Sequence, residues 1–407
     1  MSKPDAHKWE FKPRFRRHAF GWRSQPAILR VRQAVAEIKK VARKDAVVAA
    51  EGAVTFLERV SPALENIDSS SGAIGIAVNR AIEELVSVIA RASADETTRE
   101  AWLERLWEAH ANDDIPYIEK LAEYWGDLCA SKGVASAWAD RLVDTVKLAW
   151  SPDPELRGYF HGASACLSAL YGAERYEELV ALLELDRLRF WPYRRWGAKA
   201  LAAVGKRAEA IRYAEDCRGP STPGASVARV CEGILLASGL ADEAYARYAI
   251  EANPGTSYLA TFRTLTRKYP HKSPNEILED LVASTPGEEG KWFAAAKEAS
   301  FLDVALRLAT TTPCDPRTLT RAARDHIESN PTFALGAGLA ALRWLAEGYG
   351  FDITGADVWA AYSNTMKAAE RVGKAVEIKS DLRALAASTR GGTSFVAEVL
   401  GQELGLP

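Results

Sequence analysis

No apolar stretch in this chain of 407 residues approaches the roughly 18 residues needed to cross a bilayer. The N-terminus, MSKPDAHKWEFKPRF, lacks the apolar core of a secretory signal. Neither a transmembrane nor a secreted protein is expected. Cysteine is scarce: Cys129, Cys166, Cys217, Cys231 and Cys314 are scattered, odd in number and without CxxC spacing. Such a set argues against a disulfide framework or a zinc site, and is read as reduced, mostly buried thiols of a cytoplasmic protein. The six histidines, His7, His18, His110, His161, His271 and His326, form no HExxH or HxH, and no GxSxG occurs. Cys166 and His161, five positions apart, would project about 140° apart on one helix, a poor nucleophile–base arrangement. DSSSGAIG, from Asp68 to Gly75, is followed by no GK[ST] and preceded by no strand, so a capping turn is expected rather than a phosphate loop. No segment alternates with period two. No strand, cofactor, metal set or catalytic signature is therefore read, and the sequence does not say what reaction, if any, the chain performs.

Charge is unevenly placed. Residues 1–44 hold 13 Lys and Arg against 3 acids, whereas the other 363 residues hold 39 against 51. A basic head on an acidic body has two readings. The head docks on its own body, or it meets nucleic acid, anionic lipid or an acidic partner.

Nearly every segment has helical periodicity. Ile28, Val31, Val35, Ile38 and Ala42 follow Pro26 at spacings of three and four. Arg30, Arg32, Lys39, Lys40, Arg43 and Lys44 lie mostly off that stripe, giving a basic amphipathic helix. Helices are expected over about Ala46 to Leu64, up to about Ala92, and from SADETTREAW, DDIPYIEKL, GVASAWADRL and DPELRGYF. In the second half YGAERYEELVALLE, VGKRAEAIRYAEDC, SGLADEAYARYAIE and ASFLDVALRLATTT form loose repeats. Gly172, Gly205 and Gly239 lie 33 and 34 residues apart, and Ser300 follows 61 later. That is the period and turn logic of tetratricopeptide repeats, with irregular aromatic and small positions. AERVGKAVEIKSDLRALA adds one more helix-turn-helix.

The stretches WEFKPRFRRHAFGWRSQPA, DSSSGAIG, ASAWADRL, SPDPELRGYFHGASACLSALY, TPCDPRTLTRAARD and ITGADVWAAY resemble an uncharacterised bacterial family known as a domain of unknown function. The resemblance implies a bacterial, cytoplasmic, wholly helical protein. It brings no activity, ligand or catalytic residue.

Two clusters mix aromatics with cations. In WEFKPRFRRHAFGW, Pro13 and Gly21 oppose one continuous helix. An arm across the body is expected, with Phe11, Phe15, Phe20 and Trp22 in apolar grooves. Arg14, Arg16, Arg17 and Arg23 would stay outside, facing acids of the body or a polyanion. In RFWPYRRW, Pro192 suits a first helical turn. Trp191, Tyr193, Arg194 and Arg195 line a binding groove on one reading and serve packing and ion pairs on the other.

The expected fold is all-α: a right-handed α-solenoid of antiparallel, tetratricopeptide-like helix pairs behind an N-terminal helical region. The expected division is a basic aromatic arm (1–24), the helical region (25–150), the repeats (151–390) and a C-terminal capping helix (391–407). A protein- or peptide-binding scaffold without cofactor is expected on architecture. Nucleic-acid binding through residues 1–44 is the alternative, and an enzyme with a dispersed site the third reading.

Overall fold

A computed structural model describes residues 7–387 and 395–405. Among these residues there are helices and no strand. The fold class is all-α, built largely of antiparallel helix pairs in series. Of the expected C-terminal capping segment, the helix Phe395–Leu404 is described, and residues 391–394, 406 and 407 lie outside the described residues.

Residue contacts divide the chain at Ser238/Gly239 into two compact units. The first opens with helices Ser24–Ala42, Ala46–Leu64 and Ala73–Arg91, each packed on the other two. Asp45 caps the second by accepting from the N–H groups of Val47 and Val48. The buried Arg99, on the helix Glu96–Ala111, donates to the carbonyls of Ile89 and Ala92 at 2.7 and 2.6 Å. It thereby satisfies backbone groups at the end of the helix Ala73–Arg91, where the dipole favours a cation. Trp102, Trp125 and Trp138 fill the core beside it, and truncating any one would cost about 3–5 kcal/mol.

Helix pairs follow. Trp125–Cys129 precedes Lys132–Ala149, Ala163–Gly172 precedes Tyr176–Leu183, and Trp191–Ala203 precedes Arg207–Glu215, with Gly224–Ala237 next. The first helices of these pairs touch one another in sequence. The second unit repeats the plan with Phe293–Glu298 and Leu302–Thr311, Pro316–His326 and Pro331–Ala346, then Gly355–Arg371 and Ala375–Ala387.

The turn inside a pair has one recurring form. Glu174, Gly205, Ser300 and Gly373 adopt φ of 60, 84, 63 and 73°. The next N–H in each case, of Arg175, Lys206, Phe301 and Lys374, reaches back to the carbonyl five residues before it. This is the Schellman closure of a helix C-terminus. The following residue opens the second helix. Gly239, at φ 75°, precedes the helix Ala241–Ala252 in the same way.

Two expectations need correction. Gly172 ends its helix as expected of a small residue, but it does not align with Gly205 in the turn, where Glu174 takes the left-handed position. Gly172 instead lies against Gly126, where a Cβ would come within 2.8 Å of the Gly126 Cα. DPELRGYF forms turns rather than a helix. Asp153 accepts from the N–H of Glu155, and Arg157 binds back to the carbonyls of Ser151 and Pro152. Local side-chain bonds thus outcompete the helix ladder.

Candidate functional site

The helix Trp191–Ala203 begins where expected, with Pro192 in its first turn. Its faces part the four residues expected to act together. Trp191 and Arg194 turn inward and are buried. The Arg194 guanidinium donates to the Asp186 carbonyl at 2.8 Å and to the Tyr213 hydroxyl at 3.0 Å, beside the buried Asp186 carboxylate at 3.5 Å. Neither Trp191 nor Arg194 is a surface residue, which corrects their place in a binding surface: positions 191 and 194 share the face that packs on the second-helix layer. Tyr193 packs at a tilt on Trp150, ring centres 5.2 Å apart, and meets Phe190 edge-on. Arg195 alone of the four lines a cleft, and there it pairs with Glu123 at 2.8 Å.

That cleft, of about 250 Å³, lies between Glu123, Tyr124, Tyr171, Arg195, Trp196 and Lys199. Its base is the Gly126–Gly172 contact, where side chains would collide with the opposite backbone. A second recess of about 500 Å³ shares Tyr171 and Lys199 with it and continues past Ala202 and Ala203 to Val230 and Ile234. Four successive first helices thus form one groove, with Lys199 at the junction.

Lys199 is half-buried, 4.5 Å from the Trp196 ring centre; Glu123 and Asp127 line the same cleft and attract it, but no carboxylate among the described residues lies within ion-pair distance of it. Burial, reinforced by the neighbouring Arg195, holds its ammonium below the ordinary lysine range. The buried Trp196 indole N–H has no hydrogen-bond partner. Uncompensated polar groups of this kind are uncommon in a packed fold and mark a place where a ligand would supply partners. Neither Lys199 nor Trp196 was singled out as a groove residue from sequence. The i, i+3 spacing of Trp196 and Lys199 was the available signal.

The arm meets the body through its aromatics. Phe11 and Phe15 are almost fully buried against Phe56, at ring distances of 5.7 and 5.0 Å. Trp9 is also buried, its ring lying over Gly52. Phe20 is half-buried beside Phe15. Trp22 departs from expectation and is 72% exposed. Its carbonyl accepts from the Asp68 N–H, which fixes the backbone and leaves the ring outside. Arg17 meets Glu65 at 3.5 Å, but Arg14, Arg16 and Arg23 are exposed and meet no carboxylate among the described residues.

The remaining chemistry-bearing groups are inside. All five cysteines are free and buried, and burial pushes the thiols of Cys129, Cys166 and Cys314 up to about 12. Such thiols are poor nucleophiles at neutral pH. His161 precedes the helix that carries Cys166 and lies against His110 instead. Among the described residues no group of three or more His, Cys, Asp or Glu side chains could hold a metal ion, and no helix is long and apolar enough to cross a membrane.

No family model matches the chain, and no curated protein matches it. Among solved structures it is similar to a chain in the crystal structure of the APC/C hetero-tetramer Cut9–Hcn1, at 12% identity, with a TM-score of 0.26 over 87% of this chain and 76% of that one. So loose a likeness decides neither partner nor activity.

Proposed function

We propose that this protein is a non-catalytic scaffold that holds an extended segment of a partner protein in the groove along the first helices of the N-terminal unit. The carrying observation is Lys199: a half-buried ammonium that forms no ion pair among the described residues, where two recesses join. An acidic side chain or terminal carboxylate of the partner would give it the direct ion pair that Glu123, held by Arg195, and Asp127 in the same cleft do not. The aromatic faces of Tyr171 and Trp196 and the apolar wall of Val230 and Ile234 would take neighbouring side chains. Helical pairs in series support the reading, because stacked pairs present one long surface.

The test is selection of binders from an immobilised array of random peptides. Enrichment of one acidic position is expected, together with loss of capture in Lys199→Met at unchanged thermal stability. Bound peptide should also shield Lys199 from amine-directed acylation. Capture that ignores the Lys199→Met change would sink the assignment.

A second reading, nucleic-acid binding by the arm, draws on Arg14, Arg16 and Arg23, which meet no acid. It requires binding of duplex DNA that weakens steeply with salt, with the log–log slope flattening by about one for each phosphate contact removed.

A further inference from the structure

A larger groove, of about 950 Å³, runs between the helices Ser24–Ala42 and Ala73–Arg91. Along the first helix, Gln25, Leu29, Arg32, Ala36, Lys40 and Arg43 follow at spacings of three and four. They form one stripe beside the buried Ile28, Val31 and Val35. The opposite wall presents Ala73, Ile76, Ala77 and Arg80. The groove therefore has a floor of small and aliphatic side chains and walls of long cations. Ile76 is 70% exposed within it, an uncovered aliphatic side chain on a helix that otherwise buries its apolar stripe.

The electrostatics are one-sided. Five cations, Arg32, Lys39, Lys40, Arg43 and Arg80, line the groove with a single carboxylate, Glu84. Glu84 is occupied, holding Lys39 at 2.8 Å and Arg80 at 3.4 Å. Arg32, Lys40 and Arg43 meet no acid among the described residues. The acidic body of the chain thus leaves this face uncompensated.

We propose that this groove docks an acidic amphipathic helix of a partner protein. A helix matches the groove in length. The groove runs from Gln25 to Arg43, about 27 Å, which is the length of about 18 helical residues. The partner's apolar stripe would cover Ala36, Ala73, Ile76 and Ala77. Its acids would reach Arg32, Lys40 and Arg43 on one wall and Arg80 on the other. This is helix-in-groove recognition, with apolar anchors for affinity and charges for orientation. A phosphate backbone would use the cations and leave the apolar floor uncovered. A bilayer surface would meet the cations and the exposed Ile76 but would not discriminate an acidic helix from its Lys counterpart, which the test below does.

The test uses the full chain and a labelled amphipathic peptide of about 18 residues, with a Leu/Ala stripe flanked by Glu, titrated by fluorescence anisotropy. The controls are the same peptide with Lys in place of Glu, duplex DNA of matched charge, and vesicles containing phosphatidylserine. The acidic helix should bind and the Lys peptide should not. Joint reversal of Arg32 and Arg43 to Glu should weaken binding by roughly tenfold or more. The discriminating variant is Ala77→Arg, which adds a cation while filling the floor. It should abolish helix binding, whereas a polyanion or an anionic bilayer would bind it as well or better. Ala36→Arg, on the exposed stripe, repeats the test if Ala77→Arg does not fold. Undiminished binding in both floor variants, or DNA or vesicles outcompeting the helix, would overturn the proposal. Lys199→Met should leave this binding untouched, so the two grooves stand or fall separately.

Discussion

The imidazole rings of His110 and His161 lie 4.1 Å apart, and neither nitrogen of the buried His110 has a hydrogen-bond partner. Burial, reinforced by the neighbouring His161, lowers the His110 imidazole to about 4. The unfolded chain takes up that proton near an ordinary 6.5. Between those values the unfolded state binds more protons, so stability falls as pH drops through that window. From pH 7 to pH 5 the loss should be about 2 kcal/mol, at about 1.4 kcal/mol for each pH unit below 6.5. Asp113 nearby acts in the opposite sense, because burial raises its carboxyl. Urea midpoints at the two pH values measure the sum. His110→Phe, which loses no hydrogen bond, should shrink the difference, and an unchanged difference would exclude His110 as its source.

The Gly126–Gly172 contact predicts opposite effects for two similar changes. Gly172→Ala drives a Cβ into the Gly126 backbone and should cost about 1–3 kcal/mol. Gly233→Ala, in mid-helix with open space around it, should gain about 0.5–1 kcal/mol from helix propensity alone. Thermal melts of both variants decide this, and equal shifts would refute the contact.

Ser300 holds a left-handed backbone at φ 63° in the turn where the equivalent positions carry Gly205 and Gly373. Ser300→Gly should stabilise by about 1 kcal/mol, and Gly205→Ala should destabilise by a similar amount. Differential scanning calorimetry would show the two melting temperatures moving apart.

The arm is anchored by rings rather than by charges. Phe15→Ala should cost about 3–5 kcal/mol and speed amide exchange along residues 9–20. Arg14→Ala and Arg16→Ala should each lie within about 0.5 kcal/mol of zero. Even Arg17→Ala should cost little, because its pair with Glu65 is exposed. Faster exchange in the joint Arg14, Arg16 and Arg17 variant would reverse this conclusion.

Much of the architecture was legible because helices announce themselves locally. The stripe from Ile28 to Ile38 is the buried face of the helix Ser24–Ala42. Pro192 and Pro26 sit in first turns, and Gly205, Gly239 and Ser300 mark turns whose backbone conformation shows in residue type or spacing. Where local bonding competed with periodicity the reading failed, as at DPELRGYF. Gly172 showed the limit of spacing: a small residue there serves a neighbouring backbone rather than a turn.

The sequence by itself determined helix content, the pair repeat and the basic head, because each depends on residues within a few turns of one another. Only the tertiary structure decided which face of each helix is covered. Trp191 and Arg194 turn inward while Arg195 and Lys199 face a groove, although all four are aromatic or cationic neighbours on one helix. His110 meets His161, and Lys199 forms no ion pair among the described residues although Glu123 and Asp127 line its cleft. Periodicity says that two residues share a face. What that face meets depends on which helix packs there, and that packing is set by contacts across many residues of separation.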